Sequence, residues 1–127
     1  MYLLDTNALV YMLCSPKSLS KQATDILLSE KNIYVSVVSF WEIAIKQFIG
    51  KLNISSTIEE IESLCTERNI SILPIKSVEI EGTKKLPAIH KDPFDRLIIS
   101  KAQINKLAII TSDTTIPKYD VRTIPAL

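Results

Sequence analysis

The chain has 127 residues, of which 46% are apolar and 23% charged, with 15 basic against 14 acidic side chains. That length and composition suit one globular domain, taken as residues 1–127, able to bury a core without disulfide or metal staples. The formal net charge of +1 excludes a generally basic nucleic-acid binder, so any polyanion would have to be held locally.

The N-terminal stretch MYLLDTNALVYMLC is apolar, but it lacks a basic leader and carries Asp5 and Asn7 in its middle. It therefore reads as mature fold rather than as a signal peptide. Within it YLL (2–4) is a short buried strand stopping at Asp5, and NALVYML is the helix that follows. IYVSVVS (33–39) is rich in β-branched residues and reads as a second strand ending just before Trp41-Glu42. Trp41, Ala44, Ile45, Phe48, Ile49 and Leu52 then recur at helical spacing and predict a core-facing stripe, with Gly50 closing the helix. Ile58, Ile61 and Cys65 repeat the pattern. SILPI (71–75) is a third strand, placed near an edge or strand end by Pro74. Gly82, ahead of TKKLP, marks a helix end or turn. Phe94, Leu97, Ile98 and Ala102 give another helix, and LAIIT (107–111) and YDVRTI (119–124) the last two strands. No apolar run approaches the roughly 18 residues of a membrane span. Cys14 and Cys65 fit neither a redox pair nor a zinc ligand set, and read as reduced, buried thiols of a cytoplasmic protein.

Alternating apolar strands and helices argue for an α/β fold, a mainly parallel sheet of about five strands with helices on both faces. Ligands of such sheets bind outside the carboxyl ends of the strands. Acids at those positions are Asp5 after YLL, Glu42 after VSVVSFW, Asp113 after LAIITS, and Asp95 at the start of the helix preceding LAIIT. Each has a simple structural role open to it. Asp92 reads as an N-cap with Pro93 at the first helical position, while Ser39-x-x-Glu42 and Ser56-x-x-Glu59 fit capping boxes. Asp5 and Asp113 could cap the turns that follow them. Together, however, four carboxylates at one sheet edge would repel one another unless a cation sat among them. Oxygen donors without a His or Cys cluster suit Mg2+ or Mn2+, ions that bind substrate phosphates directly, so phosphodiester hydrolysis is the chemistry to expect.

The segments LLDTNALV, VSFWEIAIK, HKDPFDRLIISKA and IITSD, in this order, resemble the four motifs of the PIN domain ribonucleases, especially the VapC-type toxins of toxin–antitoxin pairs. The resemblance spans nearly the whole chain and rests on the ordered set, since no single motif is specific. It implies a PIN-like three-layer fold, with Asp5, Glu42, Asp95 and Asp113 as the catalytic and metal-holding acids. Thr6, Asn7 and Thr111 would be their hydrogen-bonding neighbours, and Asp95 rather than Asp92 falls at the metal-binding position. It further implies Mg2+- or Mn2+-dependent endonucleolytic cleavage of RNA, a homodimer, and a small cognate antitoxin whose tail blocks the acidic crevice.

The remaining polar residues are weaker candidates. His90, the one histidine, reads as a loop residue at the rim that touches a phosphate; it lacks the paired Ser or Cys of a nucleophilic site. Lys46, Lys91, Arg96 and Lys101 lie near the acids and could bind phosphates, Arg96 foremost, with solvated surface charge the alternative for each. Trp41 could stack on a base, but its helical stripe favours core packing. Glu59, Glu60 and Glu62 read as an exposed helix face. ALVYML and IEEIESLC carry more apolar side chains than one small core obviously needs, as a homodimer would. Two other classes stay open: a phospho-accepting receiver-like domain, for which adjacent acids after the first strand and a late lysine are missing, and a PIN-fold binding module without catalysis.

Overall fold

The computed structural model describes residues 1–127. Five strands, β1 (Tyr2–Leu4), β2 (Ile33–Ser36), β3 (Ile70–Leu73), β4 (Ala108–Thr111) and β5 (Thr123–Pro125), form one sheet in the order β3-β2-β1-β4-β5. All neighbours are parallel, with Leu4 level with Val35 on one side and Ile110 on the other. Six helices cover it: α1 (Thr6–Cys14), α2 (Lys21–Ser29), α3 (Val37–Phe48), α4 (Ile58–Glu67), α5 (Ser77–Thr83) and α6 (Pro93–Asn105). None is long and apolar enough to cross a membrane.

Because strand side chains alternate between faces, the sheet divides the core in two. Leu4, Val35, Ile70 and Ile110 pack with Leu9 of α1, Ile26 of α2, Ile43 of α3 and Ile61 and Cys65 of α4. On the opposite face Leu3 and Ile109 meet Ile98, Ile99 and Ala102 of α6 together with Val38 and Leu86. α5 docks on α6 through a buried ion pair. Lys101 Nζ lies 2.8 Å from Glu79 Oε2, and the two side chains are 3% and 1% exposed. Asn105 Nδ2 also donates to Glu79 Oε2 at 3.0 Å, and Ser100 Oγ to the Glu79 carbonyl at 2.6 Å. Gly82 lies inside this seam, within α5, where a Cβ would collide with Ser100 Oγ.

Several expectations are corrected. The second strand ends at Ser36, whose hydroxyl accepts the Val38 N–H at 3.2 Å and starts α3 three residues before the expected boundary. Ser39 is therefore helical and buried, and the expected box with Glu42 does not form. The capping box near residue 57 belongs to Thr57 and Glu60, one position after Ser56 and Glu59. Gly50 does close α3, in the left-handed region at φ +76°. Trp41 and Phe48 are 60% and 91% exposed, because α3 turns that stripe away from the sheet. Conversely Val10 and Leu13 of α1 pack against the core, so the surplus apolar surface lies on α3 and not on α1. Cys14 is exposed, whereas Cys65 is buried and its thiol is pushed up to about 11 by burial.

Candidate active site at the strand ends

The chain runs from β1 outward through β2 to β3, then crosses back to place β4 on the other flank of β1. The reversal between β1 and β4 is the switch point at which doubly wound sheets open a crevice. Asp5 follows β1 directly, and Asp113 stands two residues beyond the end of β4. Both carboxylates also shape the backbone. Asp5 Oδ1 accepts the Ala8 N–H at 2.8 Å and caps α1, while Asp113 Oδ1 accepts the N–H groups of Thr115 and Ile116 at 2.6 and 2.9 Å. In each case one oxygen caps a turn and the second faces elsewhere: Asp5 Oδ2 accepts from the Thr111 hydroxyl, and Asp113 Oδ2 meets His90. Thr111 Oγ1 accepts the Asp113 N–H at 2.9 Å, so this one hydroxyl joins the two strand ends.

Glu42 arrives on the second turn of α3. Its side chain is buried, with Oε2 2.8 Å from Lys46 Nζ, while Oε1 is buried without any hydrogen-bond partner. Burial works against the Lys46 charge, but the Glu42 carboxylate outweighs it and raises the ammonium's pKa. Thr6 Oγ1 donates to Ser39 Oγ at 3.0 Å, pinning the start of α1 to α3, whereas Asn7 is exposed. Asp92 caps α6 by accepting from the N–H groups of Phe94 and Asp95 at 2.8 and 3.3 Å, which leaves the Asp95 side chain free to turn inward. There Asp95 Oδ2 lies 3.0 Å from His90 Nε2, and Asp113 Oδ2 lies 3.1 Å from the same nitrogen.

The electrostatics are those of crowded carboxylates. Asp5 is raised to about 6, chiefly by burial, with Asp113 and Glu42 adding repulsion against the hydrogen bonds from Thr111 and Ala8. Asp95 is raised to about 7 by burial and by the charges of Asp92, Glu42 and Asp5, opposed by His90. Asp113 moves the other way: burial is outweighed by the N–H groups of Ile116 and Thr115 and by His90, and its carboxyl is held below the ordinary value. Distances join Asp95 and Asp113 through His90, and the charges of Glu42 and Asp5 are felt at Asp95 as those of Glu42 and Asp113 are at Asp5. The orphan Glu42 oxygen and the two raised carboxyls mark a site short of positive charge, and an all-oxygen set of this kind fits a hard divalent cation.

Three expectations about the surrounding residues change. His90 is not at the rim: its ring lies between two of the acids. Arg96 faces away from the crevice. Its guanidinium donates to the carbonyls of Pro87, His90, Thr83 and Leu86, at 2.9, 3.1, 2.6 and 3.2 Å, so both terminal nitrogens are committed to the backbone of this loop. Lys101 is committed to Glu79 in the α5–α6 seam. Sequence reasoning missed Tyr119, whose hydroxyl organises the His90 loop from 29 residues downstream. The only local signal for His90 was its place two residues before the N-cap of the helix that carries Asp95.

An all-parallel α/β sheet whose strand and helix ends gather acids at its switch point defines a class of protein with an acidic centre. This chain belongs to the PIN domain family, whose profile matches residues 2–122. Its fold is similar to VapBC2 from Rickettsia felis, solved bound to a promoter DNA fragment, at 15% identity and TM-score 0.73 over 97% of this chain and 96% of that one. It is also similar to VapBC-1 from nontypeable Haemophilus influenzae, at 19% identity and TM-score 0.70, covering 97% and 96% of the two chains. A toxin–antitoxin complex from Klebsiella pneumoniae matches at 18% identity and TM-score 0.63, over 98% and 97%. No curated protein matches the chain in sequence. Family membership sets the receiver-like alternative aside.

Proposed function

We propose that this protein is a Mg2+- or Mn2+-dependent endoribonuclease and the toxin of a toxin–antitoxin pair, acting in the cytoplasm as a homodimer. The observation that carries the reading is the acidic centre itself, with a buried Glu42 oxygen that no protein group satisfies. Asp5, Glu42, Asp95 and Asp113 would hold the cation. When bound, it supplies positive charge to a phosphodiester and acidifies water. The chain's own contribution is placement: Thr111 orients Asp5, Lys46 fixes one oxygen of Glu42, and the caps made by Asp5, Asp92 and Asp113 aim the groups around them. Lys46, only partly buried, would be the chain's cation offered to a phosphate of the substrate. The solved complexes of similar fold support a small antitoxin as partner. The exposed Trp41, Phe48 and Ile49 supply apolar surface for a second copy or that partner.

The test is cleavage of single-stranded RNA by the purified chain with and without millimolar Mn2+ or Mg2+, and growth of a host expressing it alone. Metal-dependent internal cleavage with arrested growth is expected. Folded protein that cleaves nothing in either metal would leave a PIN-fold binding module as the better description.

A further inference from the structure

His90 is the one histidine of the chain, and its two ring nitrogens face opposite kinds of partner. Nδ1 lies 3.3 Å from the backbone N of Asp92, which donates to it. A proton on Nδ1 would oppose that N–H, so the hydrogen-bond network assigns Nδ1 as acceptor and Nε2 as the N–H donor. Nε2 in turn stands between Asp95 Oδ2 and Asp113 Oδ2, and the three atoms form one compact group. A histidine that ligates a metal normally donates its other ring N–H to an acceptor. Here that place is taken by a donor, which disfavours the tautomer a metal ligand needs.

The backbone behind the ring is fixed at both of its polar groups. Tyr119 Oη accepts the N–H of His90 at 2.6 Å and that of Ile89 at 3.2 Å, and donates to the Pro87 carbonyl at 2.8 Å. Arg96 Nη1 holds the His90 carbonyl at 3.1 Å. Presenting the ring to the acids is thus built into the loop.

We propose that His90 is a positioning residue that holds Asp95 and Asp113 together through its Nε2–H and competes with the cation for the same two carboxylate oxygens. The proposal rests on the cation site put forward above. Binding of a divalent ion between Asp95 and Asp113 breaks the bridge, so His90 sets the cation affinity without being a ligand.

The experiment is a calorimetric titration of Mn2+ into the metal-free wild-type protein, His90→Ala and Tyr119→Phe, with circular dichroism as the check on folding. His90→Ala should bind Mn2+ about tenfold more tightly, because the single Nε2–H shared between the two carboxylate oxygens no longer has to be displaced. Tyr119→Phe, which leaves the ring in place but frees its backbone, should tighten binding less. Imidazole 15N spectra of the wild type give a second, independent readout from a single residue. They should show the proton on Nε2 in metal-free protein, and retained there when Mg2+ is added. Unchanged or weaker Mn2+ binding by folded His90→Ala, a proton on Nδ1, or direct coordination of the metal by Nε2 would each overturn the bridge. If wild type and variants alike bind no Mn2+, the cation site fails and the proposal with it. If His90→Ala does not fold, Tyr119→Phe and the wild-type spectra decide.

Discussion

Asp92 and Asp95 are separated by a single helical turn, and their side chains meet different partners. Asp92 spends one oxygen on the first N–H groups of α6, so Asp92→Ala should cost about 1 kcal/mol of stability and leave metal-saturated cleavage largely intact. The Asp95 carboxylate accepts no N–H of the helix and is held in a crowd of negative charge. Asp95→Asn keeps its shape but removes a charge the cation needs, so cleavage should fall about 100-fold or more without loss of folding. Melting temperature and cleavage rate measured for both variants check the division; an inactive Asp92→Ala beside an active Asp95→Asn would reverse the assignment. The Asp92 cap was legible in HKDPFDR because Asp-Pro at a helix start has a local meaning. The role of Arg96 was not. A guanidinium two residues past Pro-Phe looks free in sequence, and only the fold of residues 83–90 around it brings four carbonyls within reach.

At the scale of elements, the α5–α6 seam holds the helix that carries Asp95. Its ion pair is fully buried, and the Glu79 carboxyl, although burial pushes it up, is drawn below its ordinary value by Lys101, the Lys76 N–H and Asn105. Removing one partner strands the other: Lys101→Ala should destabilise by about 3 kcal/mol or more, and Lys101→Met combined with Glu79→Leu by much less. Chemical denaturation of the single and double variants measures the difference, and equal losses in both would deny the pair its role. Three strands were readable from sequence, since the apolar runs at 2–4 and 107–111 and the β-branched run from 33 leave few alternatives, whereas the last strand spans only Thr123–Pro125 and not the expected 119–124. The start of α3 was not, because Val37 and Val38 continue the β-branched run and the hydroxyl of Ser36 ends it by capping. The α5–α6 seam was equally hidden. Glu79 and Lys101 are separated by 21 intervening residues, and neither looks like a core position by composition.

For the whole molecule, the exposed apolar face of α3 and the acidic centre both call for something outside the chain. Light scattering at about 50 μM, a concentration at which transient contacts begin to populate, should report a mass twice that of the 14.3 kDa chain. A strict monomer would remove the homodimer.

The centre also ties global stability to pH and metal. Asp5 and Asp95 have folded-state values of about 6 and about 7, above their ordinary 3.8, so between those limits the folded protein binds more protons than the unfolded one. Stability must then fall as pH rises across that window. The lowered carboxyls of Asp113 and Glu79 act in the opposite sense, but their stabilisation is already complete above the ordinary carboxylate range and is lost only as pH falls below it. From pH 5 to pH 7.5 the raised pair therefore dominates, and the metal-free protein should melt about 5 °C or more lower at the higher pH. A divalent cation bound as proposed should reverse this, because a ligand of the ionised folded state alone stabilises it by mass action. Millimolar Mn2+ should raise the melting temperature strongly at pH 7.5 and little at pH 5, where protons already occupy the carboxylates. Asp5→Asn, which removes one of the repelling charges, should raise the metal-free melting temperature at pH 7.5 and blunt the response to Mn2+. Scanning calorimetry of both proteins at the two pH values, with and without metal, tests all three expectations together. A metal-free melting temperature that climbs from pH 5 to pH 7.5 would mean that the carboxylates are satisfied by the protein itself, and that no cation is needed to complete the site.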